Sequence, residues 1–486
     1  MVKVKTFYIT TAIDYVNAPP HLGHAYEKIA ADVLARWHRL KGEDVFFLTG
    51  TDEHAQKNEQ AAKASKMKTK DFVDRNVKKF QELCVALNIS QDRFIRTTEK
   101  DHVKISQDLF KKVHDAGDIY KGTYEGYYCT GCEAFKTEKD LKKGKCPEHD
   151  KEPDWLKEES YFFKMSKYTD KILKLVSQKG FIEPEGRRLE IYNRVKSEGL
   201  KDLSVSRVNR EWGIPVPVDD KHKIYVWFDA LINYVSGVDY SGGKYKKYWP
   251  ADIHMIGKGI NWFHTVIWPA MLMAAGIPVP KKVYVHGYVN MKGKKMSKSL
   301  GPVIDPVELA KKYSADALRY FLIKDIPFGE DGDFSEDDLK TRINGELVSD
   351  LGNLITRVLT IYEKTPVEIK GKPELEKELN LKKIEELMNK FELHHAIDEV
   401  FHFIRAANKY INDTEPWKLE GEKLGHVLYN LFETIRIVSI LVSPFLPESS
   451  EKINKQLGIK PGKLEDCKFR DWKTKPKKGD YLFKKI

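Results

Sequence analysis

The strand–turn–helix near the start of the chain constrains its fold more than any other stretch. Residues 6–11 form an apolar, β-branched run that predicts a buried parallel strand. Ile29, Val33 and Trp37 recur every four residues and predict an amphipathic helix. Between them, residues 18–24 place two prolines and a glycine on the connecting turn. Such a turn directs backbone N–H groups and the positive end of the helix dipole at a ligand above the sheet.

Two histidines stand in this turn. His21 and His24 are three residues apart and therefore share one face of the opening helical turn. Neutral imidazoles there can donate hydrogen bonds to phosphate oxygens without carrying a fixed charge. Gly23 lets a ligand approach the backbone closely. Taken alone, the stretch is also compatible with a loop that carries two surface histidines, because a short motif is weak evidence.

A second stretch, the lysine loop of residues 295–299, lies far along the chain. It follows a strand-like segment, residues 283–286, and is flanked by Gly293 and Gly301. Two lysines and two serines on such a loop suit a polyphosphate whose charge moves during a reaction. Without the first stretch, a solvated basic loop would be the simpler interpretation.

These two stretches, in this order and at this separation, resemble the two signatures of class I aminoacyl-tRNA synthetases. The residues around both are similar to those of methionyl-tRNA synthetases, and the resemblance covers nearly the whole chain. It implies an α/β fold: a Rossmann-like parallel-sheet catalytic domain with a zinc-binding insertion, followed by an all-α helix-bundle anticodon-binding domain. The expected boundaries are 1–115 and 224–286 for the catalytic domain, 116–223 for the insertion, 287–345 for the stem with the lysine loop, and 346–486 for the bundle.

Composition narrows the function classes. A formal charge of +11 and a pI near 9.0 fit a polyanionic partner, although they also suit solubility alone. The first residues show no signal peptide pattern. Residues 262–280, the most apolar long segment, contain prolines and a glycine, so we expect a buried helix and loop with no membrane span. Five clustered cysteines are too few for a disulfide scaffold, so we expect a cytoplasmic protein.

Four residues have the spacing of a metal site. Cys129 and Cys132 form a C-x-x-C pair, Cys146 and His149 form a C-x-x-H pair, and thirteen residues separate the pairs. This spacing predicts one tetrahedral, structural Zn²⁺ per chain, whose binding supplies folding energy to the insertion. A disulfide is the poorer alternative in a cytosolic chain. The insertion is also shorter than the editing insertions of the relatives that charge branched aliphatic residues.

The amino-acid site is expected at the carboxyl ends of the strands. Asp52 follows an apolar strand, residues 45–48, and its carboxylate could pair with a substrate ammonium or cap the next helix. Residues 224–228 predict another strand. The aromatic residues after it could recognise a thioether or be ordinary core. The resemblance implies a methionine pocket lined or flanked by Ala12, Ile13, Tyr15, Asp52, Trp227, Leu231, Tyr234, Ile260, His264 and Trp268.

For ATP, the resemblance implies a second set of contacts. They are His21, Leu22, Gly23, His24, Gly257, Lys258, Lys295, Met296, Ser297, Lys298 and Ser299, with Mg²⁺ bridging the phosphates. The catalytic residues among them are His21, His24, Lys295 and Lys298. They would position ATP and stabilise its phosphate charge, because the attacking carboxylate is already charged. Gly259 stands where the family usually has an aspartate, and Ala12 where its closest members usually have a proline.

From about residue 346 the pattern is all helical, and apolar stripes predict a bundle. Asn353 and Arg357 lie four residues apart, and Trp417 follows Pro416 in a predicted helix–helix loop. An amide, a guanidinium and an exposed indole can bind and stack an unpaired base. The resemblance implies that they read the anticodon of tRNA(Met). The alternative is a helix-surface pair beside a packed tryptophan.

The lysine-rich segment 473–486 follows the bundle, and the extra C-terminal domain of some relatives is not in this sequence. We therefore expect a monomer, or a catalytic subunit served by a separate tRNA-binding partner.

The expected reaction is activation of L-methionine by ATP and its transfer to tRNA(Met). Three other functions stay open. A class I synthetase for another amino acid is disfavoured by the short insertion and the closed zinc set. A nucleotidyltransferase also uses H-x-G-H at a strand–helix turn but would not need the bundle with Trp417. A zinc-containing RNA-binding protein would leave both signature loops unexplained.

Overall fold

The computed structural model describes residues 4–132, 134–147, 150–208, 210–291, 294–295, 304–327 and 329–486, without the side chains of 134–135 and 294–295. The strands are β1 (Thr6–Tyr15), β2 (Asp44–Asp52), β3 (Arg93–Arg96), β4 (Ile119–Cys129), β5 (Ala134–Lys136), β6 (Asp154–Phe163), β7 (Ile182–Glu183), β8 (Leu203–Ser204), β9 (Ser206–Val208), β10 (Pro215–Val216), β11 (Asp219–Ile224), β12 (Ile253–Gly257), β13 (Val283–His286), β14 (Val289–Met291), β15 (Lys294–Lys295) and β16 (Gly332–Asp333).

The α-helices follow the strands along the chain and fill its C-terminal part. They are α1 (Leu22–Leu40), α2 (Gln56–Ala64), α3 (Thr69–Ala86), α4 (Lys100–Asp115), α5 (Thr169–Val176), α6 (Glu185–Glu198), α7 (Val226–Leu231), α8 (Asn233–Ser236), α9 (Gly243–Tyr248), α10 (Trp268–Ala274), α11 (Pro306–Tyr313), α12 (Ala315–Asp325), α13 (Glu336–Arg342), α14 (Asn353–Lys364), α15 (Leu381–Asn389), α16 (Leu393–Thr414), α17 (Gly421–Val442) and α18 (Pro447–Leu457).

The catalytic domain is built on a six-stranded parallel sheet in the order β3-β2-β1-β12-β13-β7. This confirms the α/β prediction and the strands expected near residues 6–11, 45–48 and 283–286. The chain proceeds outward from β1 through β2 to β3 on one side and from β12 to β13 on the other, where the earlier strand β7 forms the edge. The switch point therefore lies between β1 and β12, where α/β sheets open a crevice at the carboxyl ends of their strands.

The segment expected to be an insertion also contributes to this sheet. Ile182 and Glu183 of β7 pair in parallel with Val283 and Tyr284 of β13, so β7 forms one edge of the sheet. The rest of the segment builds a separate antiparallel sheet in the order β5-β4-β6-β8. The long β4–β6 ribbon of this sheet carries at its far end the connection that holds Cys129, Cys132 and Cys146, which we call the cysteine loop.

The strand predicted over residues 224–228 is wrong. Strand β11 ends at Ile224, and helix α7 occupies Val226–Leu231. All six residues of α7 are buried. A helix buried on every side reads as a continuous apolar run, and periodicity cannot distinguish such a helix from a buried strand.

The C-terminal part is a helix bundle, as predicted. Helix α13, a π-helical segment (Ile343–Gly352) and α14 are continuous with one another, and α15 to α18 follow after the connection over residues 365–380. Of the helices in the described ranges, α17 alone is long and apolar enough to cross a membrane, and 94% of its most apolar window is buried in the bundle. Core packing therefore accounts for its apolar character.

One buried guanidinium joins the bundle to the catalytic domain. Arg319 of α12 forms an ion pair with Asp32 of α1 at 2.8 Å and donates to the carbonyl oxygens of Leu87, Pro444 and Phe445. Burial acts to raise the pKa of Asp32, but the charges of Arg319 and a second arginine on α1 hold that pKa below its usual value. The pair is therefore ionised and links three separate parts of the chain.

We expect Arg319→Met to lower the free energy of unfolding by about 3–5 kcal/mol, because it removes the buried one of the two arginines paired with Asp32 and leaves three carbonyl oxygens without their donor. Urea denaturation followed by fluorescence measures the loss. Arg342→Met is the matched control, since Arg342 pairs with Asp325 at a partly exposed site and its loss should cost below about 1 kcal/mol. Equal losses in the two variants would contradict the role given to Arg319.

Candidate functional site

Two adjoining cavities open at the switch point of the sheet. The larger has a volume of about 440 Å³ and brings together nine of the ten residues expected for a methionine pocket. These nine are Ala12, Ile13, Tyr15, Asp52, Trp227, Leu231, Tyr234, Ile260 and His264. The tenth, Trp268, flanks the cavity behind Tyr234, with 6.0 Å between the ring centroids.

An irregularity in β1 explains why consecutive residues line this cavity. The pairing of β1 with β2 shifts register between Thr10 and Ile13. In a regular strand, successive side chains point to opposite faces of the sheet. Here the four residues 12–15 all contact the cavity. The end of β1 therefore supplies more of the wall than a regular strand could.

Aromatic rings form the opposite wall. Trp227 stacks on Phe263 with 3.7 Å between the ring centroids, and Tyr15 meets Trp227 edge to face at 6.3 Å. The Tyr234 hydroxyl lies 2.6 Å from His264 Nε2, while His264 Nδ1 lies 3.0 Å from the carbonyl oxygen of Ile260. Burial lowers the pKa of His264 to about 4, so this ring is neutral. Its Nδ1–H donates a hydrogen bond to the Ile260 carbonyl oxygen, and its Nε2 accepts a hydrogen bond from the Tyr234 hydroxyl.

The smaller cavity, about 160 Å³, lies against the start of α1 and contacts His21, Gly23, His24 and Gly257. His21 Nδ1 accepts the Gly23 N–H at 3.0 Å, and His24 Nδ1 accepts the His21 N–H at 3.0 Å. With each Nδ1 occupied as an acceptor, the neutral rings carry their proton on Nε2. Burial lowers the pKa of His24 to about 3, and nearby lysines add to the effect. Leu22 is buried in the core below.

A buried set of charges between the cavities escaped the sequence analysis. Asp14 forms an ion pair with Lys28, and Asp14 and Glu27 line both cavities. Glu27 accepts the Ala12 N–H at 3.0 Å and lies 2.8 Å from His286 Nε2. A proline at position 12 has no N–H to donate. The departures from the family at Ala12 and Asp14 were therefore the sequence signals for this network.

Lys258 is held outside both cavities. Its ammonium group forms an ion pair with Asp331 at 2.6 Å and lies 4.5 Å from the centre of the Tyr288 ring. Gly259 supplies no carboxylate where the family usually has an aspartate. Asp331, from another part of the chain, places a carboxylate beside Lys258. The Lys295 side chain and residues Met296, Ser297, Lys298 and Ser299 of the lysine loop lie outside the described residues.

Three of the four predicted metal ligands converge. The sulfur atoms of Cys129, Cys132 and Cys146 lie within 4.8 Å of one another, and the Cys132–Cys146 distance is 3.5 Å. A disulfide would require about 2.05 Å, whereas two thiolates bound to one tetrahedral zinc ion at about 2.3 Å lie roughly 3.8 Å apart. The cluster can therefore hold a metal ion. His149 lies outside the described residues.

The cysteine loop also closes the larger cavity. Gly131 and Cys132 contribute to its lining, and the Trp227 indole N–H points at the Cys132 carbonyl oxygen at 3.4 Å.

A second group of potential metal ligands, Glu159 with Asp219 and His222, differs from the cysteine cluster because a lysine lies against it. The Lys121 ammonium group binds the carboxylates of Glu159 and Asp219, at 2.8 and 3.0 Å, so part of the negative charge of this group is already compensated.

The three residues expected to read a base come together at one end of the bundle. Arg357 lies 6.0 Å from the Trp417 ring centre and donates to Asn412 at 2.8 Å. Asn353 is exposed one turn before Arg357, and Trp417 is 54% exposed. Trp417 is therefore not packed in a core, which excludes the packed tryptophan of the alternative interpretation. Asn412 is a neighbour that the sequence did not indicate.

Comparison with known proteins identifies the family. A family model described as "tRNA synthetases class I (M)" matches residues 7–154 and 139–359, and one for the anticodon-binding domain of tRNA ligases matches residues 377–484. Methionine–tRNA ligase of Caldanaerobacter subterraneus is 48% identical over 99% of this chain and 79% of its own length. The chain belongs to the methionyl-tRNA synthetase family. The ligase of Thermotoga maritima is 45% identical, over 99% of this chain and 80% of its own.

Solved structures of this family share the whole fold. Mycobacterium tuberculosis methionyl-tRNA synthetase in complex with methionyl-adenylate has a TM-score of 0.94 at 40% identity, covering 99% of this chain and 100% of that one. The apo form of the same enzyme has a TM-score of 0.86 at 37% identity, covering 99% and 98%. The family's α/β catalytic domain and helical anticodon domain thus account for nearly all of the chain.

We expect His24 to remain neutral and protonated on Nε2 between about pH 5 and 8, because its lowered pKa keeps it uncharged throughout this range. Nitrogen-15 NMR of histidine-labelled protein distinguishes the two ring nitrogens, and a His24→Gln variant assigns the signal. Titration of that signal near pH 6.5, as in an exposed imidazole, would contradict the assigned state.

Proposed function

We propose that this chain is a methionine–tRNA ligase that activates L-methionine with ATP and transfers it to tRNA(Met). The observation that carries the proposal is an aromatic cavity joined to a histidine-lined cavity at the switch point of the sheet. The Mycobacterium relative was solved with methionyl-adenylate, whose two halves match these two chemistries.

On the amino-acid side, we assign the ammonium group of methionine to Asp52. This carboxylate is buried, 2% exposed, and lines the larger cavity. Trp227 and Tyr15 would contact the thioether, because polarizable sulfur binds favourably at aromatic ring edges. The Tyr234–His264 pair would present a neutral polar wall. It would reject an amino acid with a charged side chain, because it offers no opposite charge to offset the free-energy cost of removing that side chain from water.

On the nucleotide side, His21 and His24 would each offer an Nε2–H to the phosphates. The methionine carboxylate oxygen attacks the α-phosphorus of ATP, the bond from that phosphorus to the bridging oxygen breaks, and diphosphate leaves with its electron pair. No protein base is needed for this step. Lys295 and Lys298 would close over the diphosphate, with Mg²⁺ accompanying ATP. Gly257 leaves room for the nucleotide at the cavity edge.

In the second step, a ribose hydroxyl at the tRNA end takes the methionyl group and AMP leaves. Asn353, Arg357 and Trp417 are the proposed anticodon contacts. The division of the chain at residues 115, 223, 286 and 345 remains our proposal for its domains. A cytoplasmic location, a monomeric state and a separate tRNA-binding subunit also stay predictions.

ATP–diphosphate exchange, measured with each of the twenty amino acids in turn, tests the function. We expect exchange with methionine alone, because the cavity provides aromatic walls and, in Asp52, a buried carboxylate for the ammonium group. Exchange with cysteine, valine, isoleucine or leucine at a comparable rate would indicate another class I specificity. A chain that supports no exchange would refute the ligase proposal.

We further propose that Cys129, Cys132, Cys146 and His149 hold one structural Zn²⁺. We expect Cys146→Ser to reduce the zinc content measured by mass spectrometry from one ion per chain towards zero. Because the cysteine loop contacts Trp227, the variant should also raise the KM for methionine more than the KM for ATP. Cys467→Ala is the control, since this buried cysteine lies outside the cluster and should leave the zinc content unchanged.

A further inference from the structure

The proposed function leaves one strongly charged surface unused. We call residues 468–486 the lysine strap. It contains eight basic residues and two aspartates. No carboxylate in the described part of the chain lies within 4 Å of its lysine ammonium groups, which belong to Lys468, Lys473, Lys475, Lys477, Lys478, Lys484 and Lys485. A dense set of cations without compensating anions is the electrostatic footprint of a polyanion site.

The strap is fixed to the bundle along its length. Trp472 stacks on Phe432 with 5.1 Å between the ring centroids. Farther along, the Lys477 N–H donates to the Gln456 carbonyl at 2.7 Å, and the Gly479 N–H donates to its side chain at 3.1 Å. The backbone that carries the charges is therefore held in place before any partner binds, which reduces the entropy lost on binding.

The end of the strap meets the helix that carries the proposed base contacts. Asn344 donates its side-chain N–H to a main-chain carboxylate oxygen of Ile486 at 2.7 Å and accepts the Ile486 N–H at 3.0 Å. Lys484 and Lys485, both exposed, directly precede this clamp. Asn344 lies in the π-helical segment Ile343–Gly352, which continues into α14.

A solvent-facing stripe leads from the clamp towards the base contacts. Gly345, Ser349 and Asn353 are exposed at four-residue spacing, and Arg357 continues the series. The wider turn of a π-helix keeps residues four apart closer to alignment than an α-helix does. From Asn344 to Arg357 the helix rises by about 20 Å, which equals roughly six stacked nucleotides at about 3.4 Å each.

We propose that Lys484 and Lys485 bind backbone phosphates of the anticodon stem of a tRNA whose anticodon contacts Asn353, Arg357 and Trp417. This inference rests on the proposed function. A nucleotide strand that places its bases on Trp417 reaches the clamp after about six nucleotides, where phosphates of a stem would face the two ammonium groups. Such contacts set the position of an RNA without reading its sequence.

The test is a Lys484→Ala/Lys485→Ala double variant of the full chain. Its Kd for a tRNA(Met) transcript is measured by filter binding over a series of KCl concentrations. We expect the Kd to rise about 5- to 20-fold at roughly 0.1 M salt and the slope of log Kd against log salt to fall by about 1.5, because two phosphate contacts are lost. Methionine-dependent ATP–diphosphate exchange should be unchanged.

The matched control is Lys382→Ala/Lys383→Ala, which also removes two adjacent exposed lysines. Helix α15 begins beside the C-terminal end of α1, where Leu381 and Leu40 line one cavity, at the opposite edge of the sheet from the candidate site. This control should change neither the Kd nor its salt slope. Asn344→Ala, which frees the end of the strap without altering charge, should weaken binding while leaving most of the slope intact.

An unchanged Kd and salt slope in the Lys484/Lys485 variant, with Trp417→Ala still weakening binding, would overturn the inference and leave the proposed function standing. An equal loss in the Lys382/Lys383 control would also overturn it, because it would show a response to overall charge only. Binding is measured without catalysis. A chain that binds tRNA through the strap but supports no exchange would therefore overturn the proposed function alone.

Discussion

The buried ion pair between Asp32 and Arg319 is the contact on which the arrangement of this molecule depends. Asp32 lies in the middle of α1, whose first turn carries His21 and His24. The same guanidinium binds carbonyl oxygens at the end of α3 and in the turn before α18. One helix thus supplies the histidines of the smaller cavity and the anchor for the bundle. A ligand that must touch both parts meets them at a fixed separation.

Desolvation decides the chemistry of the candidate site. It keeps His24 and His264 neutral, and the backbone contacts of each ring select which nitrogen carries the proton. Charges that are buried nearby are paired: Asp14 with Lys28, and Asp32 with Arg319. A polyphosphate would therefore meet oriented neutral donors at the helix start. Fixed dipoles of this kind need little reorganisation when charge shifts during a reaction.

Local patterns in the sequence predicted the parts of the fold that follow from burial and spacing. The parallel strands, the bundle and the cysteine pairs each obey a short-range rule, and nine residues that the resemblance implied for the methionine pocket line one cavity. The helix at Val226–Leu231 was mistaken for a strand because burial on all sides removes periodicity. Glu27 and Lys28 were missed because a charged residue on a helix is ordinarily solvent-facing. Their burial depends on partners, Ala12, Asp14 and His286, that only the folded chain supplies.

The register shift in β1 has a consequence for how this pocket can diverge. Side-chain direction alternates along a regular strand, whereas beyond this shift residues 12–15 all contact the cavity. Loss of a residue near Thr10 that restored regular pairing would turn alternate side chains of this stretch away from the cavity. Substitutions alter one contact at a time, whereas such a deletion would change a whole wall at once.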